Sequence, residues 1–264
     1  MDRFMLSVIA MITMLIDHIG WHFIDEPMKL TWIGRIAFPL YAFMLADGFL
    51  TLYKDSNRLR KHIIFLLILV IISEPGYDLM NMGLNFNEYF KAQSNIISLL
   101  LGYIGMIATE MIVFSENKEK FSVKNMAALV SAYFIIGFAN YKMKADYGIM
   151  GPVLVLAFYW YLRICRADKD YDADWSWLKR FIVIFLINIL FISLYLWIRS
   201  GFWGIDGWLK EIREHYPWYI GYMMAAFLLS FYNGKHGYHK KWFAYLFKYF
   251  YPIHLYILGI VLLL

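Results

Sequence analysis

Asp17 and His18 stand side by side in MLIDHIGWH, residues 14–22, within a run of otherwise apolar side chains. A neutral imidazole oriented by a partner can take a proton from a hydroxyl or amine as that group attacks a carbonyl. Its ordinary pKa of about 6.5 suits the task. Neighbouring residues of a helix point about 100° apart, so Asp17 is not fixed as the group that orients His18. Glu74, Asp47 or a backbone carbonyl would serve as well.

Other chemistries fit these residue types less well. His18 and His22 lie four apart and, with Asp17 or Asp25, could hold a metal, but HIGWH lacks the glutamate of the HExxH pattern and no metal is expected. No G-x-S-x-G elbow and no Walker-type phosphate loop occurs. The single cysteine, Cys165, excludes an internal disulfide and any multi-cysteine metal site.

Further polar residues are scattered through apolar runs: Arg35, Asp47, Ser73, Glu74, Asn95, Asn140, Asn188, Lys248 and His254. A charge at mid-bilayer costs about 2.5–3.5 kcal/mol on insertion scales. Structural ion pairs and helix–helix hydrogen bonds account for some of them, and Arg35 with Asp17 or Glu74 would suit that role. So many ionisable groups together point to a polar cavity for chemistry or transport. Ser7 and His18, eleven residues apart, share a helix face roughly 16 Å apart along it.

The elements that position these residues are membrane spans. Hydrophobic residues make up 61% of the 264, aromatics 20% and charged residues 17%, against roughly 45–50% apolar in soluble domains. The fold class is therefore all-α, a polytopic membrane protein with one bundle of about nine helices near 4–24, 31–53, 62–80, 95–114, 122–140, 147–164, 179–199, 218–232 and 242–263. Pro75-Gly76 interrupts the third, and the eighth is short. No linker divides the chain, so a single domain over 1–264 is expected. The first span begins almost at Met1 without a cleavage site before Trp21 and reads as an insertion signal.

Sixteen Lys and Arg, counting Arg3, precede span one or follow even-numbered spans, and seven occupy the other loops. That bias places the N-terminus in the cytoplasm and His18 in the outer half of span one. Trp21, Trp32, Trp160, Trp197, Trp203, Trp208 and Trp218 fall near span ends, as aromatic belts do. The net charge of +5 sits in these loops and gives no reason to expect nucleic acid.

The blocks MITMLIDHIGW, GRIAFPLYAFMLADGF (34–49), ISEPGYDL (72–79), NIISLLLG (95–102), DYGIMGPVLVLAFYWY (146–161) and YPIHLYIL (251–258) resemble, in order and over nearly the whole chain, the TraX family of membrane proteins. That family is named for a protein implicated in N-terminal acetylation of conjugative pilin, and it looks related to other transmembrane acyltransferases. The resemblance implies cytoplasmic acetyl-CoA as donor, an acceptor arriving from outside, and a bacterial cytoplasmic membrane. It also implies that His18 is the base. Arg35 would act electrostatically at the thioester or CoA, and Asp17 and Glu74 would stand with the catalytic set.

Asn95 and His254 match family blocks, Asp47 stands where relatives often have glutamate, and these three join the donor-binding set with Ser7. Relatives have a basic or amide residue separated by ten residues from the key histidine, at the position where this chain has Ser7. Arg35, or the loop residues Arg58, Arg60 and Lys61, could hold the CoA phosphates in its place. The expected function is transfer of an acetyl group to an amine or hydroxyl of an extracytoplasmic peptide, glycan or lipid-linked sugar. A transporter or flippase for a small polar or lipid-linked solute is the rival, although no matching halves are visible in the sequence. A membrane subunit without activity is a third reading.

Overall fold

The computed structural model describes residues 1–24, 28–89, 91–114, 122–167, 177–201, 204–238 and 240–264. Asp25 and Trp203, named above, and Lys118, Lys120 and Lys169, counted in the loop bias, lie outside the described residues. The described residues form ten α-helices and no strand. The helices are α1 Arg3–Phe23, α2 Met28–Gly34, α3 Ala37–Leu52, α4 Ser56–Met82, α5 Asn95–Val113, α6 Val123–Lys142, α7 Met150–Ala167, α8 Trp177–Arg199, α9 Gly204–Ser230 and α10 Lys241–Val261. A 3-10 turn, Phe86–Glu88, and one backbone bridge between Gln93 and Ala145 complete the regular structure.

Each of the nine expected spans meets a helix. Among the described residues, seven candidate spans are long and apolar enough to cross a membrane, with α2 and α3 counted together as Leu30–Leu52. The sixth and eighth expected spans overlap α7 and α9, which are not among those seven. The bilayer as solvent explains surfaces that water would not tolerate. On α6, Val130, Phe134 and Ile135 are 65%, 71% and 64% exposed, an apolar face suited to lipid.

Helix ends follow local chemistry. Asp2 Oδ1 accepts from Met5 N at 2.9 Å to open α1, and Asp55 Oδ1 accepts from Asn57 N and Arg58 N at 3.1 Å to open α4. Both carboxylates satisfy otherwise orphaned N–H groups and complement the helix dipole. Pro75 does not break α4, which runs 27 residues to Met82; a missing N–H is tolerated in membrane helices where neighbours re-satisfy the backbone. In α9, the backbone at His215 departs from helical geometry (φ −116°, ψ 19°) two residues before Pro217, whose ring cannot fit an undistorted turn.

The chain forms two compact units, Met1–Met44 with Ile164–His254, and Leu45–Arg163 with Leu255–Leu264. In the first, α2 packs on α1 and α9, and α9 packs on α8. Its centre holds Phe191 between Phe38 and Tyr222, with ring centroids 6.3 and 5.4 Å away.

In the second, α4, α5 and α6 pack in sequence. Gly102 lets α5 approach α7 so closely that a Cβ there would lie 2.6 Å from Val155 Cβ. Asn140, fully buried, ties this unit together. Its Nδ2 donates to Ser98 Oγ at 3.0 Å and to Gly148 O, and Ser98 Oγ donates to Asp146 O at 2.9 Å.

Candidate functional site

His18 and His254 meet in the first unit although 236 residues separate them. His18 Nδ1 is 2.8 Å from His254 Nε2, and His254 Nδ1 is 2.8 Å from the carbonyl oxygen of Phe250. The two imidazoles are nearly parallel, 13° apart, with centroids 4.9 Å apart. Stacked faces do not approach closer than about 3.5 Å. A 2.8 Å N···N distance therefore sets the rings edge to edge, where the hydrogen bond lies close to both ring planes. His254 is 4% exposed and walled by Phe250, parallel at 4.8 Å, and by Tyr251, edge-on at 5.5 Å. His18 is partly buried, and its Nε2 makes no hydrogen bond among the described residues.

Asp17 turns to a different partner. Its Oδ1 is 3.5 Å from Arg35 Nη2, an ion pair with both side chains largely buried. Arg35 also lays its guanidinium over the Trp218 ring, 4.4 Å from the centroid, a cation–π contact. Two glycines make this packing possible. A Cβ on Gly34 would fall 2.1 Å from Asp17, and one on Gly221 would fall 2.1 Å from Trp32 O and 2.8 Å from Arg35 Cβ. The glycine of the GRIAFP block thus lets the end of α2 close on α1 and bring Arg35 to Asp17. Beside this group His215 approaches Trp218 edge-on at 4.4 Å, and Arg199 Nε pairs with Glu211 Oε2 at 3.2 Å.

Ser7 sits on α1 in the same unit, 3% exposed, and its hydroxyl donates to Arg3 O at 2.8 Å, with Met44 Sδ at 3.5 Å. The hydroxyl is thus engaged within its own helix, as serines in membrane helices commonly are.

Five of the expected site residues lie in the first unit, Ser7, Asp17, His18, Arg35 and His254. The other six lie in the second, Asp47, Arg58, Arg60, Lys61, Glu74 and Asn95. Glu74 is buried and accepts from Ser94 Oγ at 2.6 Å and from Ser94 N at 3.2 Å. Ser94 is the N-cap of α5, so the carboxylate ties α4 to the positive end of α5. Asn95 opens α5 and Asp47 is buried in α3. Arg58, Arg60 and Lys61 are exposed on the first turns of α4, with Arg58 Nε 3.1 Å from Asp55 Oδ2. No three His, Cys, Asp or Glu residues come together to hold a metal among the described residues.

Sequence reasoning missed Trp218, Gly34 and Gly221 as parts of the Asp17–Arg35 group. Trp218 reads as one more interfacial tryptophan, and a glycine's close approach is visible only once its neighbour is known.

The family model described as TraX protein matches residues 2–262. The chain belongs to the TraX family. A TraX-family match of this extent covers both units, so neither is an addition to the family's body. A curated relative is a probable fimbrial assembly protein FimC of serogroup H1 from Dichelobacter nodosus, 27% identical over 165 residues. The match takes in 60% of this chain and 63% of the relative's length. No solved structure matches this TraX-family chain.

Proposed function

We propose that this TraX-family protein is a membrane acetyltransferase. It takes the acetyl group of cytoplasmic acetyl-CoA and passes it to an amine or hydroxyl at the outer face of a bacterial cytoplasmic membrane. The observation that carries this reading is the His18–His254 pair inside two membrane spans, which holds one nitrogen of His18 and leaves the other to a substrate. A histidine fixed this way is equipped to take a proton.

In the proposed step the acceptor's oxygen or nitrogen attacks the thioester carbonyl. The new C–O or C–N bond forms as the C–S bond breaks, the acceptor's proton moves to His18 Nε2, and that proton is then returned to the CoA sulfur. Arg35 supplies fixed positive charge in the same unit for the oxyanion that develops. Ser7, whose hydroxyl is engaged with Arg3 O, is left out of donor binding. The Lys and Arg bias of the loops gives the orientation used here, with the N-terminus cytoplasmic. The fimbrial-assembly role in the name of the Dichelobacter relative favours an acceptor that belongs to a surface filament.

Calorimetric titration of the detergent-purified protein tests the donor. Acetyl-CoA and CoA are expected to bind both the wild type and His18→Ala, and ATP is expected not to bind. A folded sample that takes up no acetyl-CoA would remove the donor from the scheme and favour the transporter reading.

A further inference from the structure

We infer that His254 is the positioning residue of this site. It holds the His18 ring in the tautomer that carries its proton on Nδ1 and its lone pair on Nε2. The inference rests on the reading of His18 as a base, but the state it assigns to the ring can be observed without any reaction.

The chain of donors runs in one direction. A carbonyl oxygen only accepts, so the 2.8 Å contact between His254 Nδ1 and Phe250 O requires a hydrogen on Nδ1. A neutral imidazole has one N–H, so His254 Nε2 is then bare and must accept. The group 2.8 Å from it, His18 Nδ1, must therefore donate. His18 in turn keeps its lone pair on Nε2, the nitrogen that makes no hydrogen bond among the described residues. One backbone carbonyl of α10 thus sets the protonation pattern of a side chain on α1.

The surroundings keep the relay rigid. His254 is 4% exposed and lies parallel to Phe250 at 4.8 Å, so its ring has little freedom to turn. The nearly coplanar alignment of the two imidazoles, 13° apart, suits a lone pair that lies in the ring plane. Asp17 is engaged with Arg35 instead. When His18 accepts a proton on Nε2, the Nδ1 hydrogen can move toward His254, which spreads the charge over two rings.

Nitrogen-15 NMR of histidine-labelled protein in lipid nanodiscs tests the assignment, with His18→Ala identifying the His18 signals. Wild type is expected to show His18 with Nδ1 protonated and Nε2 bare. His254→Gln keeps an acceptor and should preserve that pattern. His254→Phe removes it, and the ring should shift toward the Nε2–H form that imidazole prefers in water.

With radiolabelled acetyl-CoA and membrane vesicles, His254→Phe should slow transfer about 10²-fold. The KM for acetyl-CoA should stay unchanged, and His254→Gln should retain most of the rate. A wild-type His18 protonated on Nε2 would overturn the proposal, as would a tautomer that His254→Phe leaves unchanged. If wild type transfers no acetyl group while the tautomer follows residue 254, the acetyltransferase reading fails and the positioning role stands.

Discussion

Arg35 does two things at once: it neutralises Asp17 inside a membrane span and covers the face of Trp218. Replacing one partner of a largely buried ion pair leaves a charge behind, at a cost of about 3 kcal/mol or more. Arg35→Gln should therefore destabilise the protein more than Asp17→Asn with Arg35→Gln together, because the double variant leaves no unpaired carboxylate. Arg35→Lys keeps the charge but loses the planar contact with the indole, worth about 0.5–2 kcal/mol. Thermal unfolding of wild type, Asp17→Asn, Arg35→Gln, the double variant and Arg35→Lys in detergent measures this, and strictly additive losses from the two single variants would contradict the coupling. Asp17, His18, Arg35 and His254 are legible in the sequence because polar residues stand out in apolar runs. Their partners are not legible. Helical periodicity tells which face a residue occupies, but nothing in it connects position 18 with position 254.

At the level of elements, hydrophobic runs locate the spans well and their ends less well. The eighth span reads as 218–232, whereas α9 starts at Gly204 and turns at His215. The residues before the kink, among them Asp206, Lys210, Glu211, Arg213 and Glu214, are too polar to register as part of a span. Pro75 reads as an interruption of the third span, yet α4 passes through it. Close helix contacts are also hidden in sequence, since any glycine in a span looks like any other. Gly221 is a case with a measurable consequence: an alanine methyl there would meet the backbone oxygen of Trp32, which has no flexible end to yield. Gly221→Ala is expected to destabilise the protein by about 1–3 kcal/mol, the range for overpacking a tight contact. Gly234→Ala, at a loop glycine whose Cβ would meet nothing within 4 Å, shows the effect of backbone strain alone, since Gly234 has φ of +72°. A Gly221→Ala melting temperature equal to that of wild type would contradict the close packing of α2 against α9.

For the molecule as a whole, composition alone identifies a multi-pass membrane protein, because 61% hydrophobic residues cannot be buried within a water-soluble fold of this size. The division into two compact units is not visible in the sequence. Its boundaries fall inside α3, α7 and α10, where no Pro-, Gly- or Ser-rich linker marks them. Orientation rests on the Lys and Arg bias, and the proposed reaction depends on it, since donor and acceptor approach from opposite faces. The most direct measurement therefore uses sealed inside-out membrane vesicles supplied externally with acetyl-CoA labelled in the acetyl group. The expected result is covalent label in lumen-facing material from vesicles containing the wild-type protein, reduced at least 10²-fold in those containing His18→Ala. Equal labelling by the two proteins, or no labelling from vesicles that carry the acceptor and a wild-type protein able to bind acetyl-CoA, would contradict acetyl transfer through His18.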